Sequence, residues 1–320
     1  MKVLIFNEKL ELKTDYKKAT LNENEALIKV TMAGICNTDY EITKGYMGYN
    51  GILGHEFVGE VVEINGQDKS LLNKRVVGEI NLGCDDCAWC AQNLARHCPN
   101  RSTLGILNKD GCFCEYLTMP IQNLLEVPEN VTDEEAVFVE PLAAACEIFE
   151  QKHIRPDEKV VVLGDGKLGL LIALTLNAMG LDVLLVGKHQ NKLDIAKAQK
   201  VKTILLNDIK IEPIYDVVVE ATGSVSGFET SVALTKPRGT LVLKSTIATG
   251  KELNLAPIVI NEITVLGSRC GQFAPALRLL EQEKIDVKPL ISKIYDFDDA
   301  IEAFEANKQK DTIKVLMRIN

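Results

Sequence analysis

The sequence lacks basic runs and long apolar segments, and each of these two absences excludes a class of partner. Lysine and arginine number 36 against 45 acidic residues, which gives a net charge of -9. Because no cluster of positive charge could neutralise a phosphate backbone, we expect no nucleic-acid partner. The longest apolar stretch, residues 168–181, is interrupted by Thr175 and Asn177. It is shorter than the roughly 20 residues that span a bilayer, so we expect no membrane partner.

The first residues, MKVLIFNEKLELK, mix charged and apolar side chains and do not form the apolar centre of a signal peptide. We therefore expect a cytoplasmic protein. A reducing compartment favours metal binding over disulfide bonds as the use of cysteine, and the odd count of nine cysteines would leave one unpaired.

Two patterns of secondary structure divide the chain. Up to about residue 130, short runs rich in Val, Ile and Leu alternate with Gly, Asn and Asp, which predicts strands and turns. From residue 159, apolar strands alternate with amphipathic segments of helical length. That alternation predicts a parallel sheet covered by helices on both faces. After Gly271 a helix, a strand, a helix and a strand follow, so the sequence predicts an α/β protein with a domain boundary near residue 141.

A glycine-rich turn, VVVLGDGKLGLL, lies between an apolar strand and a helix. Gly164, Gly166 and Gly169 form the pattern G-x-G-x-x-G, in which they permit a tight turn, a close approach of pyrophosphate, and helix packing, respectively. The helix begins at Lys167 and Leu168, and the N-terminal end of a helix favours the binding of phosphate. This predicts a Rossmann-type dinucleotide site, with a glycine-rich turn of another doubly wound protein as the alternative.

The end of the next strand, VGKHQNK, bears on the choice of cofactor. NAD-binding proteins usually carry an acid there, which binds the ribose 2′-hydroxyl. Here Gly187 occupies that position, and Lys188 and His189 follow. A 2′-phosphate would meet room and positive charge, so the sequence favours NADP(H). In the alternative, NAD(H) binds, and Lys188 and His189 are the exposed start of a helix.

Two groups of residues are candidate metal ligands. Cys84, Cys87, Cys90 and Cys98 follow the pattern C-x2-C-x2-C-x7-C, which predicts a metal site for zinc or iron. Cys36 and His55 stand nineteen residues apart, with Glu56 directly after the histidine. Taken alone, a cysteine or a histidine such as Cys36 or His55 is commonly a core residue. The remaining cysteines are assigned to packing; they are Cys112, Cys114, Cys146 and Cys270.

Taken together, these motifs resemble the zinc-dependent medium-chain alcohol dehydrogenases, from about residue 25 onward. The segments that carry the resemblance are GICNTD, GHEFVGEV, GCDDCAWCAQNLARHC, VEPLAAA, VLGDGKLG, EATG and NEITVLGSRCG. Glu140-Pro141-Leu142 is similar to the polyol, threonine and glucose dehydrogenase branch. The resemblance implies a mainly β, GroES-like catalytic domain at residues 1–141 and 272–320, and a Rossmann domain at residues 142–271.

The resemblance also implies two zinc ions per chain. Cys36 and His55 would hold the catalytic zinc, with Glu56 or Glu140 as the third ligand. The four clustered cysteines, Cys84, Cys87, Cys90 and Cys98, would close a structural zinc site that leaves no position for a substrate.

Further roles are implied for residues near these ligands. Thr38 would hydrogen-bond the substrate oxygen and begin a proton relay, and Asp39 would orient His55. Glu41 stands where many members have a histidine, so the relay would run through Glu41 or through cofactor ribose and water. The EATG motif implies cofactor contacts from Ala221, Thr222 and Gly223.

The implied function is hydride transfer between a secondary alcohol, polyol or sugar-like substrate, or its carbonyl form, and NADP(H). Alternatives are the same reaction with NAD(H), a zinc-free reductase of the same superfamily, and a non-catalytic NADP-binding or scaffold protein. The apolar strand in NEITVLGSRCG is implied to pair with its two-fold mate. We therefore expect a homodimer or homotetramer with Ile263 and Val265 in or near the contact.

Overall fold

The structure is a computed structural model that describes residues 1–246 and 252–319. In chain order the strands are β1 (Val3–Asn7), β2 (Lys9–Lys13), β3 (Glu25–Gly34), β4 (Gly51–Ile52), β5 (Glu56–Asn65), β6 (Arg75–Gly78), β7 (Asn81–Leu82), β8 (Ser102–Leu104), β9 (Asn108–Lys109), β10 (Tyr116–Pro120), β11 (Leu124–Glu126), β12 (Val160–Leu163), β13 (Val183–Gly187), β14 (Lys202–Leu205), β15 (Tyr215–Glu220), β16 (Thr235–Leu243), β17 (Thr264–Gly267), β18 (Ile291–Asp296) and β19 (Lys314–Arg318). The α-helices are α1 (Asn37–Ile42), α2 (Asp133–Ala136), α3 (Val139–Gln151), α4 (Lys167–Ala178), α5 (Gln190–Ala198), α6 (Val225–Leu234), α7 (Ala256–Ile260), α8 (Phe273–Glu281) and α9 (Ala300–Ala306). Single turns of 3-10 helix lie at Tyr46–Gly48, Cys90–Gln92, Ala95–His97, Ile121–Asn123, Lys288–Leu290 and Phe297–Asp299.

The chain forms two compact units. The first comprises Met1–Glu140, Phe273–Gln282 and Leu290–Asn320, and the second comprises Pro141–Gln272 and Glu283–Pro289. In the described part of the chain, no helix combines the length and the apolar character needed to cross a membrane.

The first unit is built mainly of antiparallel strands. Its largest sheet has the order β11-β6-β5-β3-β19-β18, and β10 also pairs with β3. The long ladder between β3 and β5 ends where Gly34 faces Glu56. Cys36 follows this end of β3 and His55 precedes this start of β5, so the pairing of the two strands brings the candidate ligands together.

The second unit contains a parallel sheet with the order β14-β13-β12-β15-β16-β17. Numbered along the chain within this sheet, the order is 3-2-1-4-5-6, the Rossmann arrangement, so the predicted doubly wound fold is confirmed. All four residues of β12 are buried, as expected for a strand covered on both faces. Because β12, β13 and β15 are parallel neighbours, the turns that follow them lie at the same edge.

One helix ends earlier than its sequence pattern predicts. The pattern FETSVALTK predicts a helix through Lys236, but α6 ends at Leu234 and β16 begins at Thr235. Pro237 explains the difference, because a proline disfavours helical backbone at the residue before it.

Candidate metal and cofactor sites

Asp39 joins the two segments that carry the first pair of candidate metal ligands. Its Oδ2 accepts a hydrogen bond of 2.8 Å from the backbone N–H of Cys36, and its Oδ1 accepts one of 3.1 Å from Gly54. Oδ1 also lies 3.3 Å from His55 Nδ1, close enough for an ionic contact but not aligned as a hydrogen bond. Asp39 is fully buried, so its carboxylate fixes Cys36 and His55 relative to each other.

The ligand atoms of Cys36, His55 and Glu56 lie within 4.8 Å of one another. The Glu56 carboxylate also forms a buried ion pair with the Lys314 ammonium of β19. Gly34 makes this arrangement possible, because a Cβ there would lie 2.6 Å from Glu56 Oε2 and 2.9 Å from Lys314 Cε. Glu140 is not among the residues that the described chain gathers in this cluster.

The charges around His55 change its acidity. Burial lowers the pKa of the imidazole, but Asp39 and Cys36 raise it by more, so the pKa stands well above its ordinary value. A metal ion at this cluster must therefore displace a proton, as metal ions do at histidine ligands generally.

The other residues predicted near this cluster occupy different environments. Thr38 Oγ1 lies 3.6 Å from Cys36 Sγ and is half-buried. Glu41 is exposed and forms an ion pair of 3.0 Å with Lys44.

The four clustered cysteines have the geometry of a tetrahedral metal site. Sγ–Sγ distances are 3.5 Å between Cys84 and Cys98, 3.6 Å between Cys87 and Cys90, and 3.7 Å between Cys87 and Cys98. A disulfide would bring two sulfurs to about 2.0 Å. Zn–S bonds of about 2.3 Å in a tetrahedron give sulfur separations of about 3.8 Å, so the cluster fits zinc.

The glycine-rich turn has the close contacts that its pattern predicts. Gly164 has φ of +118°, and a Cβ there would lie 2.7 Å from the carbonyl oxygen of Ala221. A Cβ at Gly169 would lie 1.9 Å from the carbonyl oxygen of Gly164. At Gly166 a Cβ would meet nothing within 4 Å. The space beside Gly166 and the start of α4, at Lys167 and Leu168, fit a bound pyrophosphate.

The room predicted beside Gly187 is absent. A Cβ at Gly187 would lie 2.6 Å from Asp165 Oδ2, because the Asp165 side chain occupies this space. His189 Nδ1 lies 3.0 Å from the same oxygen, so its ring already has an anionic partner. Lys188 is exposed. The structural premise for a 2′-phosphate at Gly187 is therefore wrong, although Lys188 still offers positive charge.

The EATG turn is organised by its own glutamate. Glu220 Oε1 accepts the backbone N–H of Thr222 at 2.6 Å and that of Gly223 at 3.2 Å. These donors are therefore engaged within the turn. Ala221 reaches the cofactor turn instead through its carbonyl oxygen, next to Gly164.

Comparisons with known proteins agree with this architecture. Family models match residues 22–129, as the alcohol dehydrogenase GroES-like domain, and residues 168–282, as the zinc-binding dehydrogenase domain. The chain is 29% identical to sorbitol dehydrogenase of Halalkalibacterium halodurans, over 93% of this chain and 92% of that protein. It is 28% identical to L-galactonate-5-dehydrogenase of Escherichia coli K12, over 95% of this chain and 94% of that protein. A crystal structure of a zinc-binding dehydrogenase of Sinorhizobium meliloti 1021 bound to NADP is 26% identical, with a TM-score of 0.90, and the match covers 99% of this chain and 98% of that one.

The fold and the matched domains define a two-part dehydrogenase with a GroES-like and a Rossmann component, as the sequence predicted. The chain belongs to the zinc-dependent medium-chain alcohol dehydrogenase family. It is an oxidoreductase that acts on CH–OH groups.

Two residues at these sites were not predicted from the sequence. Lys314 stands in the apolar strand IKVLMRI, where a charged residue in a buried pattern was the available signal. Asp165 stands between two glycines of the cofactor turn, and only the missing acid at Gly187 pointed to it.

Proposed function

We propose that this enzyme transfers hydride between a secondary alcohol, polyol or sugar-like substrate and a nicotinamide cofactor. The observation that carries the proposal is the cluster of half-buried Cys36 with buried His55 and Glu56, in which Asp39 is bonded to both ligand segments. The relatives named for sorbitol and L-galactonate support a polyhydroxy substrate.

The donor set of the cluster suits zinc, because thiolate, imidazole and carboxylate are its usual ligands. Cys36 and His55 would hold the ion, with Glu56 or Glu140 as the third ligand. A zinc ion there supplies a Lewis acid that lowers the pKa of the substrate hydroxyl, and the nicotinamide takes up the hydride. Since Glu56 is paired with Lys314, we favour Glu140 as the third ligand and Glu56 as a second anionic group beside the ion.

The remaining groups position the reactants and move the proton. Asp39 orients His55 through the contact to Nδ1, which leaves the other ring nitrogen for the metal. Thr38 places its hydroxyl beside Cys36 Sγ, where it would accept the proton of the substrate hydroxyl and pass its own proton on to cofactor ribose or water. Glu41 is exposed and paired with Lys44, so it would serve only for a last transfer to solvent.

The cofactor is proposed to lie on the turn Gly164–Gly169, with the pyrophosphate beside Gly166. The sequence favours NADP(H), with NAD(H) as the alternative. The exposed charge of Lys188 supports NADP(H), and the carboxylate of Asp165 at the same strand end opposes it.

The four thiolates Cys84, Cys87, Cys90 and Cys98 are proposed to hold the second, structural zinc ion. Their separations support this role, because a closed tetrahedral site stabilises a loop and offers no position for a substrate.

We also propose a cytoplasmic homodimer or homotetramer. Among the described strands, β17 pairs only with β16, so one edge of the parallel sheet is open. Val265 of β17 is 41% exposed, and Val259 and Ile260 of the neighbouring α7 are 76% and 77% exposed. An open apolar edge favours pairing with a second copy. Ile263 is 7% exposed in the core of the second unit, so the expectation that it lies in the contact is replaced by Val259 and Ile260.

The test combines metal analysis with a panel of polyols, sugar acids and secondary alcohols, each assayed with NAD and NADP. Two zinc ions per chain and reduction of the cofactor by a polyhydroxy compound are expected. Cys36→Ser should abolish turnover, whereas Cys114→Ser, at a buried cysteine outside both clusters, should not. A non-catalytic binding protein would bind dinucleotide without turnover, and a zinc-free reductase would contain no metal at Cys36.

A further inference from the structure

The end of β13 carries a carboxylate although its own last residue is glycine. In this fold, the residue at that strand end usually supplies the acid that binds the adenosine ribose. Here the side chain of Asp165 comes from the middle of the turn Gly164-Asp165-Gly166 and lies against Gly187. A Cβ at Gly187 would lie 2.6 Å from both Cβ and Oδ2 of Asp165. The acid at this strand end is therefore supplied by the turn after β12 and not by β13 itself.

The Asp165 carboxylate is held firmly in this position. Oδ2 accepts hydrogen bonds of 2.7 Å from the backbone N–H groups of Lys188 and His189, and it lies 3.0 Å from His189 Nδ1. Asp165 is only 8% exposed. Hydrogen bonds to an ionised oxygen are the stronger kind, so the three contacts fix the side chain. Among the described residues these contacts all use Oδ2, which leaves Oδ1 to accept from a ligand hydroxyl.

The positions of Gly187 and Asp165 depend on each other. An acid at Gly187 would collide with Asp165, and Asp165 can reach the strand end only because Gly187 has no side chain. The glycine at this position is therefore explained by packing against a carboxylate, and not by space left for a phosphate.

We propose that Asp165 binds the adenosine ribose hydroxyls and makes this enzyme selective for NAD(H) over NADP(H). This inference rests on the proposed function in one respect, since it takes the bound ligand to be a nicotinamide dinucleotide. A 2′-phosphate carries a charge of about -1.5 to -2 near neutral pH, as phosphorylated side chains do. Asp165 would repel it at short range, and His189 is already engaged by Asp165. Lys188, exposed at the surface, is one cation against this repulsion.

The test measures binding of NADH and NADPH to the zinc-loaded protein by calorimetry, without substrate. We expect the wild type to bind NADH more tightly by on the order of tenfold or more, given the like charges at the site. Asp165→Asn keeps the size of the side chain and removes its charge, so it should lower this preference by at least about tenfold. Asp182→Asn is the matched control, because it removes an exposed carboxylate just before the start of β13 and should leave the preference unchanged.

A second measurement needs no variant. The wild type should bind adenosine 5′-phosphate more tightly than adenosine 2′,5′-bisphosphate. Equal or tighter binding of the 2′-phosphorylated ligands by the wild type would overturn the inference, as would an unchanged preference in Asp165→Asn. Binding of neither dinucleotide would overturn both this inference and the proposed function. Selective binding of NADH without turnover of any alcohol would overturn the proposed function alone.

Discussion

The buried ion pair between Lys314 and Glu56 makes a quantitative prediction about stability. Lys314 is 1% exposed and Glu56 is 2% exposed, so neither charge is solvated by water. Burial lowers the pKa of the Lys314 ammonium to about 8, and the nearby charges of Cys36 and Asp39 oppose that change by stabilising the charged form. Lys314→Met keeps an unbranched side chain of similar length and removes only the charge.

The cost of this substitution follows from what it leaves behind. Methionine should retain most of the packing of the lysine stem, but it lacks the ammonium whose Nζ lies 5.6 Å from the centroid of the Phe138 ring. The Glu56 carboxylate would then be buried without its cation. Removing one member of a buried pair costs about 3–5 kcal/mol, because the other charge is left uncompensated. We therefore expect a loss of this size in the free energy of unfolding.

The measurement is urea unfolding followed by fluorescence and circular dichroism. Lys293→Met is the matched control, since Lys293 lies on the adjacent strand β18 and its pair with Glu302 is exposed. Exposed pairs contribute little, so this control should unfold almost as the wild type does. The double variant Lys314→Met, Glu56→Gln should recover more than half of the loss. A loss in Lys314→Met no greater than in the control would refute the reasoning, and would indicate that zinc balances Glu56.

Three further outcomes are expected. Cys98→Ser should release one zinc ion and lower the melting temperature before it affects turnover, whereas Cys146→Ser, at a buried cysteine outside the cluster, should retain both ions. A normal melting curve with lost turnover in Cys98→Ser would mean that the catalytic and structural assignments of the two metal sites are reversed. His55→Ala should lower kcat/KM by about 1000-fold or more, because a Lewis acid contributes several kcal/mol and each 1.4 kcal/mol is tenfold in rate; NADH binding should persist, and turnover within tenfold of wild type would exclude the catalytic zinc at this position. Ile260→Lys should dissociate the oligomer in light scattering, whereas Ile301→Lys, at an apolar residue of α9 that is 39% exposed, should not; a monomeric wild type would contradict the assembly.

The periodic parts of the chain could be predicted from the sequence because their signals are local. The apolar runs of β12, β13 and β15, and the apolar run of α4 in which residues 169–176 are all buried, follow directly from burial on one or both faces. The four clustered cysteines were equally accessible, since a metal loop places all its ligands within a short stretch of sequence. In both cases the interacting residues are close along the chain.

The residues that sequence reasoning missed act across long separations. Lys314 contacts Glu56 only because β19 and β5 flank β3 in one sheet. Asp165 reaches Gly187 because β12 and β13 are parallel neighbours whose ends coincide. The short helix α7 was missed for another reason, since five residues are too few to show a helical period. No local pattern encodes such contacts, so the missing acid at Gly187 was interpreted as open space.

The charge of the first metal cluster, considered as a whole, supports a divalent ion there. Asp39 and Glu56 are buried carboxylates, and Cys36 becomes a thiolate when it binds a metal. Lys314 balances one of these three negative charges. When His55 is neutral, as binding to a metal requires, two negative charges remain beside side chains that are at most 3% exposed, namely Asp39, His55 and Glu56, and uncompensated buried charge is costly. A divalent metal ion would neutralise these two charges. Glu140, as the third ligand, would add one negative charge and so weaken the attraction of the metal ion for the substrate oxygen. On this proposal the lysine of β19 lets a second carboxylate stay beside the metal without binding it, which is why we favour Glu140 over Glu56 as the third ligand.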